Sequence, residues 1–343
     1  MRSMAEARVR AVLSHASGST GLTAADTLSA LVAQQLDHLP MPGAGATLDR
    51  WRALAVVAEF DLSLAKLYEG HTDALAIFNE LRGTHPMEPG TWGMWAAEVP
   101  NVKVNIQCTG PDTVCLSGTK SWCSGAATVD HALLTAWDAA QDKPQLIALS
   151  LHQRGVVVDP SVWKAIGMAG SASLEVRFEG AVGYRVGGIG AYLQRAGFWQ
   201  GGAGVAACWW GGARGIAQTF KNSFATQSTE MLSPFKLAAL GKVTLALAET
   251  AAVLRESAAW IDAYPQADAS SVALAVRLSA EQCAKRVLDE VGKAMGPTLF
   301  CHDRQFAQAA ADLPVFIRQS HAEHDFLALG ERANSQNLTG WTL

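Results

Sequence analysis

Charge is scarce in this chain. Asp, Glu, Lys and Arg make up 17% of 343 residues, and 27 basic against 31 acidic side chains leave a net charge of −4. So small a balance gives no electrostatic reason to expect DNA, RNA or an anionic membrane as a partner. None of the six cysteines (Cys108, Cys115, Cys123, Cys208, Cys283, Cys301) belongs to a C-x-x-C pair, so neither a zinc ribbon nor a dithiol redox motif is present. Scattered single cysteines suit a reducing compartment, where they serve as small apolar side chains. Met1 to Ala16 alternates charged and apolar residues and has no apolar run of the signal-peptide kind. The most apolar later stretches are interrupted by Arg214 and Glu249, so no membrane span is expected. A cytoplasmic protein follows by elimination. Hydrophobic residues are plentiful, at 49%, enough for two or three packed cores and against disorder.

The period of the hydrophobic pattern changes twice. Up to about residue 85 it is helical: Leu28, Leu31, Val32, Leu36 and Leu39 recur at helical spacing, and so do Leu54, Val57, Phe60, Leu64 and Leu67. A Pro- and Gly-rich loop follows, through His85 to Gly90. Val102, Val104, Ile106 and Cys108 then alternate with Lys103, Asn105 and Gln107, which reads as a half-buried strand. Gly110-Pro111-Asp112 is a turn, Val114 to Leu116 returns from it, and Ser117-Gly118 reads as a second tight turn. Strands follow at His131–Trp137, Leu146–Leu151, Val156–Val158 and Leu174–Phe178. From about residue 196 the helical period returns. Gly201 to Gly215 is rich in Gly and Ala, suited either to close helix packing or to a ligand's approach. Leu240 to Ile261 and Val276 to Met295 step by three and four residues, and a third run extends from Arg304 to about Leu329. The expected fold is α+β: an N-terminal helical domain (1–90), a central small antiparallel barrel (91–190) and a C-terminal four-helix bundle (191–343).

Three segments in this order carry a resemblance. Leu116-Ser117-Gly118-Thr119-Lys120-Ser121-Trp122-Cys123-Ser124-Gly125 is similar to an L-x-G-x-K-x-W-I-T-N segment. Gly167-Met168-Ala169-Gly170-Ser171-Ala172-Ser173-Leu174-Glu175-Val176-Arg177-Phe178-Glu179 is similar to a G-x-R-x-S-x-(T/S)-x-x-(V/L)-x-F-(D/E) strand. Ala294-Met295-Gly296 stands near a Gly-Gly turn, with Arg304 where an Arg often follows. From about residue 50 onward the chain resembles the acyl-CoA dehydrogenase superfamily. The resemblance implies FAD, with FMN as an alternative, and a homodimer or homotetramer acting on a small molecule such as a CoA thioester. It places Trp122, Cys123 and Ser124 against the flavin, with the Trp122 ring beside the isoalloxazine and the Ser124 hydroxyl near its reactive nitrogen. It aligns Trp95, Ala96 and Ala97 with the pyrimidine side, and Gly296 with the adenine or pyrophosphate.

Departures from the pattern bear on the reaction. The superfamily's base is a glutamate, and that position falls near Ser320, in Phe316-Ile317-Arg318-Gln319-Ser320-His321-Ala322-Glu323-His324-Asp325. Glu323 is the nearest substitute. In the flavin monooxygenase branch a histidine near this point replaces the glutamate, which matches His321, and an imidazole titrates where a proton donor is useful. On a continuous helix His321, His324 and Asp325 would share one face. No Arg occurs between Phe220 and Ser233, where the superfamily has one for the pyrophosphate, and Ala169 replaces another Arg. His71 aligns where helices approach the substrate, although such a histidine is more often a packed, hydrogen-bonded core residue. The leading expectation is therefore an FAD-dependent oxidoreductase of acyl-CoA dehydrogenase type. The alternatives are a two-component flavin monooxygenase using His321 and a non-catalytic binding module.

Overall fold

The computed structural model describes residues 4–18, 21–81, 87–108, 110–138, 141–225 and 232–335. Part of the loop expected at His85 to Gly90, and residues 226–231 of the stretch that lacks an arginine, fall outside them. The helices are α1 Met4–Gly18, α2 Ala24–Ala33, α3 Thr47–Phe60, α4 Leu62–Leu81, α5 Ala191–Gln194, α6 Gly197–Asn222, α7 Pro234–Ala263, α8 Ser270–Met295, α9 Thr298–His302, α10 Arg304–Phe316 and α11 Glu323–Ser335. The strands are β1 Trp92–Trp95, β2 Val104–Cys108, β3 Thr113–Cys123, β4 His131–Asp138, β5 Lys143–Ser150, β6 Val156–Asp159 and β7 Leu174–Val186. The chain divides into two compact units, neither of them one stretch of sequence: Met1–Met41 with Ser63–Phe198, and Pro42–Leu62 with Trp199–Leu343.

In the first unit the strands order as β1-β4-β2-β3-β7-β5, and β5 pairs back onto β4. Strands β2, β3, β7, β5 and β4 thus close into a five-stranded barrel, and closure leaves no open edge among them. Apolar residues alternate inward as the sequence implies: Val104 and Ile106 on β2, Val114 and Leu116 on β3, and Val176 and Phe178 on β7 are buried. Helix α4 covers one face, packing Ala74, Ile77 and Phe78 on Trp92, Leu133 and Val186. The barrel is mixed rather than antiparallel, because β4 runs parallel to both β1 and β2. Alternation along a strand reports which face is buried and says nothing about the direction of its neighbour.

Strand β3 also corrects the turn expected at Ser117-Gly118. The strand runs on to Cys123, with a bulge against β7 between Leu116 and Ser117. Gly118 has φ +122° and faces Val104 of β2. A Cβ there would overlap the Lys103 carbonyl oxygen. The glycine serves a bulge and a close backbone approach inside a strand.

The helical run expected through Leu54 and Leu67 is two helices. Asp61 between them is extended, with φ −155° and ψ 126°, and α3 belongs to the second unit while nearly all of α4 belongs to the first. In the second unit α6 meets α3 along its glycines, which settles what that Gly-rich stretch does there. A Cβ at Gly211 would overlap the Ala55 carbonyl oxygen, one at Gly215 would lie 2.8 Å from the Glu59 carbonyl oxygen, and one at Gly204 would lie 3.3 Å from Trp51 Nε1. An ion pair between Arg214 and Glu59 borders this contact. Helix α7 packs along α8, with Lys242 paired to Glu290 at 2.9 Å. Among the described residues α7 is also the one helix long and apolar enough to cross a membrane, with a mean hydropathy of 1.6 over its most apolar window. The interruption expected from Glu249 does not bring it below that threshold.

Candidate functional site

The end of β3 gathers most of the residues singled out from the sequence. Lys120 is almost fully buried. A buried ammonium must be paired, and its Nζ donates to Glu98 Oε1 at 2.8 Å and to Thr135 Oγ1 at 2.7 Å. Trp137 Nε1 donates to the other Glu98 oxygen at 3.2 Å. Burial pushes the Lys120 pKa down from its ordinary value, with Glu98 pulling it partly back. Burial raises the Glu98 carboxyl, but its hydrogen bonds from Lys120, Thr135 and Trp137 outweigh that and hold it low. This pair ties the segment after β1 to β3. Lys120 was visible as a motif letter and Glu98 as the end of the aligned Trp95-Ala96-Ala97-Glu98 segment, whereas nothing in the sequence marked the two as partners.

Beyond Lys120 the strand turns over. Trp122 takes a left-handed conformation, φ +62°, uncommon for a non-glycine residue. The residue is 58% exposed, and its ring stands T-shaped to that of Trp163 at a centroid distance of 6.4 Å. Cys123 is buried, donates from Sγ to the Lys120 carbonyl at 3.3 Å, and has its thiol pKa pushed far up by desolvation. It is a packed thiol without thiolate reactivity. The Ser124 amide closes the turn onto the Trp122 carbonyl at 3.1 Å. Trp95 Nε1 donates to the Ser124 carbonyl at 3.0 Å, and the Gly125 amide donates to the Ser171 carbonyl at 2.8 Å. The Ser124 hydroxyl lies 2.8 Å from Ser173 Oγ, Ser173 Oγ lies 3.1 Å from Ser171 Oγ, and Ser171 Oγ donates to the Met168 carbonyl at 2.9 Å. Two residues after the exposed Trp122, the Ser124 hydroxyl thus begins an ordered line of three hydroxyls, and an aromatic ring with a nearby polar partner suits a planar heterocycle with polar ring atoms.

No family sequence model matches the chain, and no curated protein matches it by sequence. Solved structures do match its fold. Glutaryl-CoA dehydrogenase from Mycobacterium smegmatis superposes with a TM-score of 0.79 at 14% identity, over 98% of this chain and 96% of that one. KijD3, in complex with FMN and dTDP-3-amino-2,3,6-trideoxy-4-keto-3-methyl-D-glucose, gives 0.76 at 17% identity, over 96% and 91%. Dibenzothiophene monooxygenase (TdsC) from Paenibacillus sp. A11-2 gives 0.73 at 18% identity, over 97% and 98%. It has also been solved with FMN and indole. The chain has the acyl-CoA dehydrogenase fold.

Within this acyl-CoA dehydrogenase fold, the candidate residues fall into two groups. Trp95, Ala96, Ala97, Trp122, Cys123 and Ser124 all belong to the first unit. Trp95 is buried beneath Ser124, while Ala97 is exposed. Gly296, His321 and Glu323 belong to the second. Gly296 ends α8 with φ +56° and open space where a Cβ would stand.

His321 does not share a helix with His324 and Asp325, as expected from a continuous run. Helix α10 ends at Phe316 after Pro314, a short 3-10 turn spans Ile317–Gln319, Ser320 is extended, and Ala322 has φ +46°. A proline in the last turn removes one backbone donor and helps end the helix. Glu323 then opens α11. Asp325 holds this corner: its carboxylate accepts from the His321 amide at 3.1 Å and from Ser320 Oγ at 3.3 Å. The His321 ring is 77% exposed, with Nδ1 3.5 Å from Asp325 Oδ1.

His71 is a core residue. The Trp92 amide donates to its Nδ1 at 3.0 Å, so the ring proton sits on Nε2, which lies 3.0 Å from Asp37 Oδ2. Glu281, buried near Ser320, is occupied by Arg318 at 2.6 Å and Lys285 at 2.5 Å. Burial raises its carboxyl, but these partners outweigh that and hold it low, so it is poorly placed to take up a proton as a base.

Proposed function

We propose that this chain is a flavin-dependent oxidoreductase, and that it works as a monooxygenase supplied with reduced flavin. The observation that carries the flavin reading is the exposed Trp122 two residues before Ser124, whose hydroxyl is backed by Ser173 and Ser171. These residues fit an isoalloxazine, which needs an apolar wall and a small polar partner at its central nitrogen. KijD3 and TdsC, which have been solved with FMN, lend the same support. A bound reduced flavin supplies the activation of dioxygen. The chain's part is to seat the ring against Trp122, hold Ser124 in register through Trp95 and Gly125, and fix the segment after β1 through Lys120 and Glu98.

The monooxygenase reading is preferred over a dehydrogenase acting on an acyl thioester because the expected base position is Ser320 and the nearby Glu281 is locked between two cations. Its substrate is a small molecule, and the working form is a homodimer or homotetramer. His321, by its place in the sequence motif, is the proton-transfer residue. His321→Ala is expected to abolish turnover and leave flavin affinity unchanged; full activity in that variant removes it from the mechanism.

A visible spectrum and a titration with FMN and FAD test flavin binding directly. Trp122→Ala is expected to weaken flavin binding about tenfold, the scale of one lost aromatic contact, while unfolding free energy changes by less than about 0.5 kcal/mol, as for an exposed site. Equal affinity in the variant would move the ring elsewhere. Product formed only with reduced flavin and oxygen supports the monooxygenase, whereas anaerobic bleaching by an acyl thioester supports the dehydrogenase. An intact fold that takes up neither flavin at millimolar concentration leaves a binding module.

A further inference from the structure

The line of three serines has a direction, and that direction selects a redox state. Each hydroxyl owns one proton and can accept with its lone pairs. Ser171 Oγ gives its proton to the Met168 carbonyl at 2.9 Å. The contact of 3.1 Å between Ser171 and Ser173 must therefore be donated by Ser173. With that proton committed, the contact of 2.8 Å between Ser173 and Ser124 must be donated by Ser124. Three bonds consume three protons, and Ser124 Oγ is left with lone pairs alone for any further partner. The Ser124 amide is already engaged by the Trp122 carbonyl, so it cannot make up the missing donor.

We infer that Ser124 is an obligatory acceptor towards its ligand, so that the site binds the dihydro form of the flavin ring in preference to the oxidised form. This rests on the flavin reading above. The reactive ring nitrogen of an oxidised flavin offers only a lone pair, which meets the lone pairs of Ser124 and gains nothing. In the dihydroflavin the same nitrogen carries N–H and can donate. Ser173 and Ser171 are positioning residues: they touch no ligand, and they act by fixing which way the Ser124 proton points. The chain would then hold reduced flavin and release it once oxidised, as a protein fed by a separate source of reduced flavin requires.

FMN is the probe. Dissociation constants for oxidised FMN in air and photoreduced FMN under anaerobic conditions are expected to differ at least about fivefold in favour of the reduced form, the worth of one ordinary hydrogen bond. By linkage the midpoint potential of bound FMN lies above that of free FMN, by about 20 mV for a fivefold ratio in a two-electron couple. Ser171→Ala frees Ser173 to donate to Ser124, and Ser173→Ala frees Ser124 directly. Both variants let the Ser124 proton turn to the ring, so each is expected to strengthen oxidised FMN and bring the ratio towards one. Ser171→Ala is tolerated by the turn because the Ser171 amide still donates to the Met168 carbonyl at 3.0 Å. A wild-type ratio of one or below, or a ratio unmoved in both variants, overturns the inference while FMN binding itself still supports the flavin reading. Failure to bind either form removes both.

Discussion

Replacing Gly118 by alanine is expected to destabilise the first unit by about 3 kcal/mol or more, at the severe end for a single substitution. Two costs add. The backbone at φ +122° is one that a residue with a Cβ rarely adopts, and the new methyl would overlap the Lys103 carbonyl oxygen on the neighbouring strand. Neither can relax easily, because β3 is held on one side by β2 and on the other by β7. Gly180→Ala is the control. That glycine also has positive φ, +79°, but a Cβ there meets nothing, so only the conformational cost of about 1 kcal/mol applies. Urea denaturation of both variants separates the two contributions. If Gly118→Ala lies within the error of Gly180→Ala, the close approach is not the constraint proposed. Since Trp122 and Ser124 sit at the end of the same strand, flavin uptake should fail together with the strand and not independently of it.

The second large effect concerns Asp37 and His71. His71→Ala is expected to cost about 3–5 kcal/mol, as when one member of a buried polar pair is removed. The variant leaves the Asp37 carboxylate, whose Oδ1 lacks a partner among the described residues, with only the more distant His38 ring at 3.9 Å, and leaves the Trp92 amide at the start of β1 without its acceptor. Asp37→Asn should cost much less, because an amide oxygen can still accept from Nε2. The pair also sets an acid limit. Burial raises the Asp37 carboxyl, but the hydrogen bonds from His71 and from its own backbone, together with the charges of His71 and His38, outweigh it, and the folded-state pKa lies below the ordinary 3.8. For a carboxyl whose folded pKa is depressed, the stabilisation is complete above the unfolded value and is lost as the pH falls through the folded one. Thermal melts between pH 6 and 2 should show a loss of stability below the ordinary carboxyl range, and Asp37→Asn should lack that component. An identical acid profile in the variant would assign the loss to other carboxylates.

What the sequence conveyed about this protein follows from what local patterns encode. Alternation along Val104 to Gln107 and Leu174 to Glu179 identified strands and their buried faces correctly, because a two-residue period is a property of the strand itself. The parallel placement of β4 beside β1 and β2 was not legible, since partner and direction are decided by chain segments far apart. Gly118 was read as a turn because a glycine after a serine is ordinary turn chemistry; the need it meets is a neighbour's carbonyl, which only the assembled sheet supplies. Leu54 to Leu67 kept helical spacing across a corner, because a single extended residue, Asp61, interrupts the backbone without disturbing the apolar rhythm. The same limit applied at His321, where three positions of helical spacing straddle a chain reversal at Ala322. At the candidate site, Trp122 and Ser124 stood out through their motif. The pairing of Glu98 with Lys120 and the order of the hydroxyls at Ser171 and Ser173 became visible only when the fold brought separated residues into contact.

The division of the chain into discontinuous units bears on how it is made. Helix α3 leaves the ribosome well before α6, the helix whose glycines it packs against. At ordinary rates of synthesis the interval is on the order of ten seconds. During it the first unit has all of its strands and can close its barrel, while α3 waits with Trp51, Leu54 and Ala55 uncovered. The N-terminal half of the chain is thus obliged to carry an apolar helix on behalf of the half not yet translated. Conditions that slow translation between residues 62 and 200 should raise aggregation of the nascent chain more than equal slowing after residue 260.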